Sequence, residues 1–226
     1  MKNNLAVSVI IPVYNGELYI ARCLRSILKQ TLHHDQYEII VVNDHSTDKT
    51  SFVLNLFKEE IKIINLSQNL GLPSALNEGI RNAQGKYIVR LDSDDFVNKD
   101  YLFILSLFLE MNHEFDAVCC DYYLIDDKED VIRRCNSEKD PIGCGIMFRI
   151  EQLIEIGLYD ESFLINEEVD LKERFSKKYG ITRIPLPLYR YRLHEKNMTK
   201  DLEKKAEFDL KINKKHSEAY KNGKNY

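Results

Sequence analysis

Three carboxylates follow directly on an apolar run in the middle of the chain. The run, Tyr87–Leu91, is rich in Ile, Val and Tyr and predicts a strand buried on both faces; Asp92, Asp94 and Asp95 come after it. Like charges this close repel one another unless a positive group lies among them. A hard divalent cation, Mn2+ or Mg2+, prefers oxygen ligands and also takes substrate phosphates. The alternative is a solvated acidic turn that caps a helix beginning near Lys99.

Polar residues also follow two other predicted strands. Val7–Val13 ends in Tyr14-Asn15-Gly16, ahead of Glu17, and Tyr37–Val42 ends in Asn43-Asp44. The carboxyl ends of parallel strands lie on one edge, and open α/β sheets bind their ligands at that edge. The alignment therefore favours one shared site over three unrelated loops.

The elements that position these residues alternate between strand and helix as far as Asp95. A helical pattern begins at Glu17, a second helix runs to about Glu59, Ile61–Leu66 is a third strand, and the apolar residues of Leu72–Ala83 recur at helical spacing. Alternation with short connections predicts right-handed crossovers and a parallel sheet with helices on its faces.

The pattern changes after Asp95, but nothing marks a domain boundary. The predicted elements are a helix over Tyr101–Met111, strands over Asp116–Ile125 and Val131–Arg134, an extended segment over Pro141–Phe148, a helix over Glu151–Ile156, a helix opening at Asn166, and two strands, Ile181–Ile184 and Leu188–Leu193, separated by Pro185 and Pro187. Without repeats or low-complexity linkers, residues 1–95 and 96–195 are expected to share one sheet, followed by a basic tail over 196–226.

Composition excludes several classes of protein. With 226 residues, a net charge of −4 and a pI near 5.9, the chain does not fit a nucleic-acid binder with a broad basic face. Five cysteines without a C-x-x-C pair fit a reducing cytoplasm. No apolar run is long enough for a transmembrane helix. The lysine-rich tail is expected to be a solvated helix; the alternative is peripheral contact with the inner face of an anionic membrane.

Seven segments together resemble the family 2 inverting glycosyltransferases with the GT-A fold. The resemblance covers about Val7–Thr199, and the segments lie in the family's order. They are Val7–Asn15, Val42–Asp48, Asn69–Ile80, Gly85–Asp95, Gly157–Glu161, Glu167–Leu171 and Arg192–Thr199.

The resemblance implies a fold and a reaction. The fold is a Rossmann-like α/β domain with a mixed, mainly parallel central sheet flanked by helices, a nucleotide half and an acceptor half. The reaction moves a sugar from a nucleotide-diphosphate sugar, expected to be UDP-linked, to a hydroxyl of a glycan or lipid-linked acceptor. The rivals are a sugar nucleotidyltransferase and an inert binding module that keeps only the fold.

The resemblance also assigns the donor site. Asp44 matches the carboxylate that binds the donor base, with Pro12, Tyr14 and Glu17 lining the pocket; the alternative for Asp44 is an Asx-turn. Within the D-x-D motif Asp92-Ser93-Asp94, Asp94 matches a ligand of the metal that bridges the diphosphate and Asp92 lies nearer the ribose or a metal-bound water. His194 matches a histidine that reaches the metal or diphosphate, although a histidine at a strand end is often structural.

The catalytic base depends on a departure from the family pattern. An inverting transfer needs one carboxylate to accept the proton of the attacking hydroxyl. The family has Glu-Asp-x-Asp where this chain has Glu167-Glu168-Val169-Asp170, so Glu168 falls on the base position with one extra methylene. Glu168 is favoured over Asp170, and either could instead cap the helix. His45, where the family often has Gly, is a smaller departure.

Overall fold

The computed structural model describes residues 5–194 together with Lys211, Ile212 and Lys215. Within these residues one mixed sheet is flanked by α-helices. The strands are β1 Val7–Val13, β2 Tyr37–Asn43, β3 Lys62–Asn65, β4 Tyr87–Arg90, β5 Phe96–Val97, β6 Ala117–Ile125, β7 Val131–Cys135, β8 Ile146–Arg149 and β9 Ile181–Arg192. The helices are α1 Ile20–Ile27, α2 Thr50–Asn55, α3 Leu72–Arg81, α4 Tyr101–Met111, α5 Ile150–Glu155 and α6 Glu167–Ser176.

The strand order is β3-β2-β1-β4-β8-β6-β9-β5, and β7 pairs with β6 beyond the end of β8. The strands β1 to β4 run parallel, β8 runs against both β4 and β6, and β9 runs parallel to β6. The predicted α/β class with a mixed, mainly parallel sheet is therefore confirmed. Because β4 pairs with β8, the sheet continues from the first half of the chain into the second.

Both faces of the central strands are covered, because strand residues alternate between two apolar clusters. In β1, Val9 packs on one side with residues of α1 and α4. On the other side Ile10 packs with residues of α3 and α6, among them Leu171 and Phe175. This double coverage explains why the interior strands read as continuous apolar runs.

Two details of the predicted elements are wrong. The predicted strands 181–184 and 188–193 are one strand, β9, whose pairing with β6 shifts register at Asp121. The shift leaves Pro185 outside the ladder, where its missing N–H costs no bond, while Pro187 lies opposite Asp121 at the irregular position. The short strand β5 was not predicted, because two residues carry no periodic pattern.

Most of the predicted basic tail (196–226) lies outside the described residues. Ile212 and Lys215 are helical, Ile212 is buried, and Lys215 forms ion pairs with Asp160 and Asp170. Among the residues that the structure describes, no helix is both long and apolar enough to span a bilayer.

Candidate active site

The loops after β1 and β2 interlock at the carboxyl edge of the sheet. Asn15 Oδ1 accepts a hydrogen bond from Thr47 N at 2.8 Å, and Glu17 Oε2 accepts one from Lys49 N at 2.8 Å. In return, Thr50 Oγ1 accepts from Gly16 N at 2.8 Å. Parallel pairing places both loops on one edge, and these bonds make them a single wall.

The predicted base-binding residue, Asp44, joins this wall to the loop after β3. Its side chain is nearly buried, and its two oxygens accept from Leu70 N at 2.7 Å and Gly71 N at 2.8 Å. A carboxylate has about four lone-pair sites, so two acceptor positions remain for a ligand. Of the other predicted lining residues, Pro12 is buried within β1 and Tyr14 is exposed at the rim.

The loop after β4 completes the edge next to Gly16. A Cβ added to Gly16 would lie 3.5 Å from Ser93 Oγ, which places Ser93 against the loop after β1. Asp92 points elsewhere: its two oxygens pair with the Arg90 guanidinium at 2.5 and 3.1 Å. Arg90 also donates to Glu167 Oε1 at 2.8 Å and so links the D-x-D loop to the start of α6.

Asp94 and His194 meet at the same edge from positions 100 residues apart. His194 Nε2 lies 2.8 Å from Asp94 Oδ2, and its ring stacks on Tyr19 with 5.0 Å between centroids. Two neighbouring ligands of an octahedral ion with bonds of ~2.1 Å are ~3.0 Å apart. In the structure this 2.8 Å contact is a hydrogen bond between the ring and the carboxylate. The same separation fits one edge of a Mn2+ or Mg2+ coordination sphere, and a cation bound by both atoms would replace the hydrogen bond.

The third carboxylate of the cluster, Asp95, has a structural role. It is 2% exposed and accepts hydrogen bonds from Tyr189 Oη at 2.7 Å and Arg192 N at 2.8 Å. Burial, together with the charges of Asp94 and Asp92, raises its pKa well above the ordinary range. Arg90 pairs with Asp92, and neutral donors fill hydrogen-bonding positions of Asp95, whereas Asp94 faces His194. A cation shared by all three carboxylates stays a prediction.

A second group of possible ligand atoms fits a hard cation poorly. Asp92, Asp95 and Cys144 bring their ligand atoms within 4.8 Å of one another. Burial raises the pKa of the Cys144 thiol well above its usual value, and a neutral thiol is a poor ligand for Mg2+ or Mn2+. Of the predicted metal set, the structure thus brings Asp94 and His194 together and pairs Asp92 with Arg90 instead.

Three acidic residues in the first turn of α6 have different environments. Glu167 is buried against Arg90, and burial raises its pKa to about 7. Asp170 is fully buried, with its oxygens bound by Arg174 Nε at 2.8 Å and Lys215 Nζ at 2.6 Å. Glu168 is half-buried, and no hydrogen bond or ion pair within the described residues occupies its carboxylate.

Sequence comparison identifies the family. The family model described as Glycosyl transferase family 2 matches residues 8–172, which include Asp44, the D-x-D motif and the start of α6.

This chain belongs to glycosyl transferase family 2.

Relatives with curated names agree with this family 2 membership. The chain is 30% identical over 212 residues to the minor teichoic acid biosynthesis protein GgaB of Bacillus subtilis (strain 168), covering 85% of this chain and 23% of GgaB. It is 32% identical over 220 residues to the uncharacterized glycosyltransferase RP339 of Rickettsia prowazekii (strain Madrid E), covering 88% of this chain and 68% of RP339. The chain thus spans less than a quarter of GgaB.

Solved structures confirm the predicted GT-A fold for the family 2 chain. TarS 1-349 of S. aureus in complex with UDP-GlcNAc superposes with a TM-score of 0.75 at 23% identity, covering 87% of this chain and 61% of that one. The mannosyltransferase PcManGT of Pyrobaculum calidifontis, in complex with GDP-Man and Mn2+, superposes with a TM-score of 0.74 at 20% identity, covering 94% and 64%.

Sequence reasoning missed two arginines in this family 2 site. Arg90 stands alone as a charged residue in the apolar run before Asp92, and a charge in a buried strand is nearly always paired, so its position was a usable signal. Arg192 is buried and donates through Nε to the Asp94 carbonyl at 3.0 Å. Arg192 opens the family-like segment Arg192–Thr199, which sets it apart from Arg190, but the resemblance assigned a role only to His194 in that segment.

Proposed function

We propose that this chain transfers a sugar from a nucleoside-diphosphate sugar, UDP-linked, to a hydroxyl of a glycan or glycolipid, with inversion at the anomeric carbon. The observation that carries the proposal is the position of Glu168 at the start of α6, which Arg90 ties to the D-x-D loop through Glu167 and Asp92, while the carboxylate of Glu168 has no bonded partner among the described residues. TarS, in complex with UDP-GlcNAc, and PcManGT, with GDP-Man and Mn2+, support a nucleotide-sugar donor.

The interlocked loops after β1, β2 and β3 are proposed to hold the nucleotide. Asp44 keeps two acceptor positions after its backbone bonds, and a base N–H can donate to one of them. Pro12, Tyr14 and Ser93 border the same edge, whereas the Glu17 carboxylate already accepts from Lys49 N and acts by fixing the loop. We therefore assign Glu17 a supporting role in nucleotide binding.

Asp94 and His194 are proposed to hold a Mn2+ or Mg2+ ion, because the fold brings a carboxylate oxygen and an imidazole nitrogen together, and the ion would replace the hydrogen bond between them. When bound, such an ion neutralises the negative charge that develops on the departing diphosphate. Arg90 keeps Asp92 oriented toward the sheet and Glu167 beside it. These contacts hold the end of β4 against the start of α6. The sugar would lie between this wall and the wall formed by the loops after β1 and β2.

Glu168 is proposed to be the general base. It would accept the proton of the acceptor hydroxyl while that oxygen bonds to the anomeric carbon, and the bond from that carbon to the diphosphate oxygen would break with its electrons leaving on the diphosphate. Asp170 is disfavoured for this role because its oxygens bind Arg174 and Lys215. Its burial removes it from any acceptor.

The test is release of nucleoside diphosphate from UDP-sugars and GDP-mannose with Mn2+, without an acceptor and with candidate glycans. Glu168→Gln should lower transfer by roughly 10²–10⁴ and leave donor binding unchanged, since a base acts on the proton alone. Asp94→Asn should abolish metal-dependent donor binding, and EDTA should do the same to the wild type. The matched control on α6 is Glu173→Gln, which alters an exposed carboxylate.

Other outcomes would favour the rival functions. Release of pyrophosphate instead of nucleoside diphosphate would support a nucleotidyltransferase. Tight nucleotide-sugar binding without turnover for any acceptor or water would support an inert module. Loss of transfer in Asp170→Asn with normal transfer in Glu168→Gln would reverse the assignment of the base.

A further inference from the structure

A cleft of about 140 Å³ lies beside α6, against β6 and β8. Glu138 and Pro141 form its exposed rim, and its floor is buried. The floor residues are Cys119, Cys120, Cys144 and Ile146. A single buried water needs only ~10–15 Å³, so the cleft has room for a polyatomic group.

Among the described residues that line this cleft, Lys172 is the one cation. Its ammonium donates to the Ile142 carbonyl at 2.6 Å, and no carboxylate of the described chain lies within 4.0 Å. An ammonium has three donors, so two of them have no acceptor among the residues that the structure describes. Burial lowers the pKa of Lys172, and the nearby charge of Glu168 only partly opposes this effect.

Other cations near the site are paired. Arg90 contacts Asp92 and Glu167, and Arg174 contacts Asp170. Buried charges in proteins are nearly always paired in this way. Lys172 has no such contact pair among the described residues: Glu168, one helical turn away in α6, acts on it only from beyond ion-pair distance. A buried ammonium without a carboxylate in contact indicates a ligand that brings a negative charge into contact with it.

The cleft adjoins the proposed base. Glu168 and Lys172 are four residues apart in α6 and lie on the same face of the helix. Ile142, which accepts from Lys172, precedes Gly143, and a Cβ added to Gly143 would lie 3.0 Å from the Cβ and Cγ of Glu168. A group bound at Lys172 would thus lie about one helical turn from Glu168.

We propose that this cleft binds an oxyanion of the acceptor, a phosphate or carboxylate group, through charge-assisted hydrogen bonds from Lys172. The inference rests on the proposed transfer to an acceptor at Glu168. Apolar walls around the ammonium strengthen such bonds because they exclude water. Glu138 also lines the cleft, but it lies on the exposed rim, where solvent and salt screen its charge.

The experiment compares anions with neutral counterparts on the full chain in EDTA, so that no metal–phosphate site forms. The probes are glycerol 3-phosphate against glycerol, and glucuronate against glucose, in calorimetric titrations. The wild type should prefer at least one anion by on the order of tenfold or more. Lys172→Met should lose this preference, whereas Lys172→Arg and the exposed control Lys177→Met should keep it. Comparison of the two probe pairs distinguishes a site for phosphate from a site for carboxylate.

Chemical-shift mapping on the wild type provides a second measurement that does not depend on any variant folding. The anion should shift the amide signals of Gly143, Gly145 and Lys172. Equal affinity for charged and neutral probes, an unchanged preference in a folded Lys172→Met variant, or shifts confined to other surfaces would overturn the proposal. These titrations contain no nucleotide-sugar, so they test the cleft separately from transfer. Anion binding that depends on Lys172, together with no transfer in the donor assay, would refute the proposed function and leave an anion-binding cleft that serves no acceptor.

Discussion

The two walls of the candidate site are held together by different forces. The loops after β1 and β2 are tied by backbone amides that donate to side chains, such as Thr47 N to Asn15 Oδ1 across 32 residues. The end of β4 and the start of α6 are tied by ion pairs, such as Arg90 to Glu167 across 77 residues. One wall relies on turn chemistry and the other on buried charge.

This difference determines how each wall responds to change. When the side-chain acceptor of a backbone amide is removed, the free energy of unfolding falls by about 0.5–1.5 kcal/mol. A buried ion pair that loses one partner leaves an uncompensated charge, which costs several kcal/mol. The charged wall should therefore be the more sensitive of the two to mutation and to pH.

Removal of Arg90 should have the largest effect. In Arg90→Met, the carboxylates of Glu167 and Asp92, 4% and 21% exposed, lose their cation. We expect the free energy of unfolding to fall by about 3–5 kcal/mol in urea titrations. The control is Arg81→Met, since the pair of Arg81 with Glu161 is largely exposed and is expected to contribute at most ~1 kcal/mol. Equal losses in the two variants would contradict the proposed difference between the walls.

Asp121 in β6 is a buried carboxylate with its own pair of arginines, apart from the Arg90 pairs, and its removal should give the next largest effect. Its oxygens accept from Arg183 at 2.6 and 2.7 Å and from Arg134 at 2.9 Å. Asp121→Asn should lower the unfolding free energy at neutral pH by about 1.5–3 kcal/mol.

The contribution of Asp121 to the free energy of unfolding should decrease as the pH falls. The hydrogen bonds from Arg183 lower the pKa of Asp121 to about 2. Its stabilising contribution is therefore complete above the unfolded pKa of ~4 and is lost as the pH falls toward 2. The stability difference between wild type and Asp121→Asn should shrink over that range; a constant difference would show that Asp121 does not titrate as described.

The contribution of Glu167 to the free energy of unfolding should instead decrease as the pH rises. Burial raises its pKa to about 7, above its unfolded value, so the wild type gains stability when Glu167 is protonated. Its contribution is complete below the unfolded pKa of ~4.5 and is lost as the pH rises through about 7. From pH 6 to pH 8 the wild type should lose about 1 kcal/mol that Glu167→Gln does not lose, measured by urea unfolding at each pH. Parallel pH profiles for the two proteins would contradict this.

The hydrogen-bonded wall should give the smallest effect. Asn15 has a φ of +52°, so Asn15→Gly removes the acceptor for Thr47 N without straining the backbone. We expect a loss of about 0.5–1.5 kcal/mol that stays constant between pH 5 and pH 8. A loss of unfolding free energy as large as that of Arg90→Met would show that both walls contribute equally to stability.

Local periodicity and contiguous motifs were enough to predict the strand-and-helix order, the carboxyl edge of the sheet and the family. Asn15, Asp44 and Glu17 could be placed at that edge from the strands that they follow. The pairing of Asp92 with Arg90, the burial of Asp95 and the free carboxylate of Glu168 could not be predicted. Asp94 and Asp95 are neighbours in the chain, but one meets His194 and the other Tyr189. Which carboxylate is exposed, paired or free depends on partners that only the tertiary fold brings within hydrogen-bonding distance.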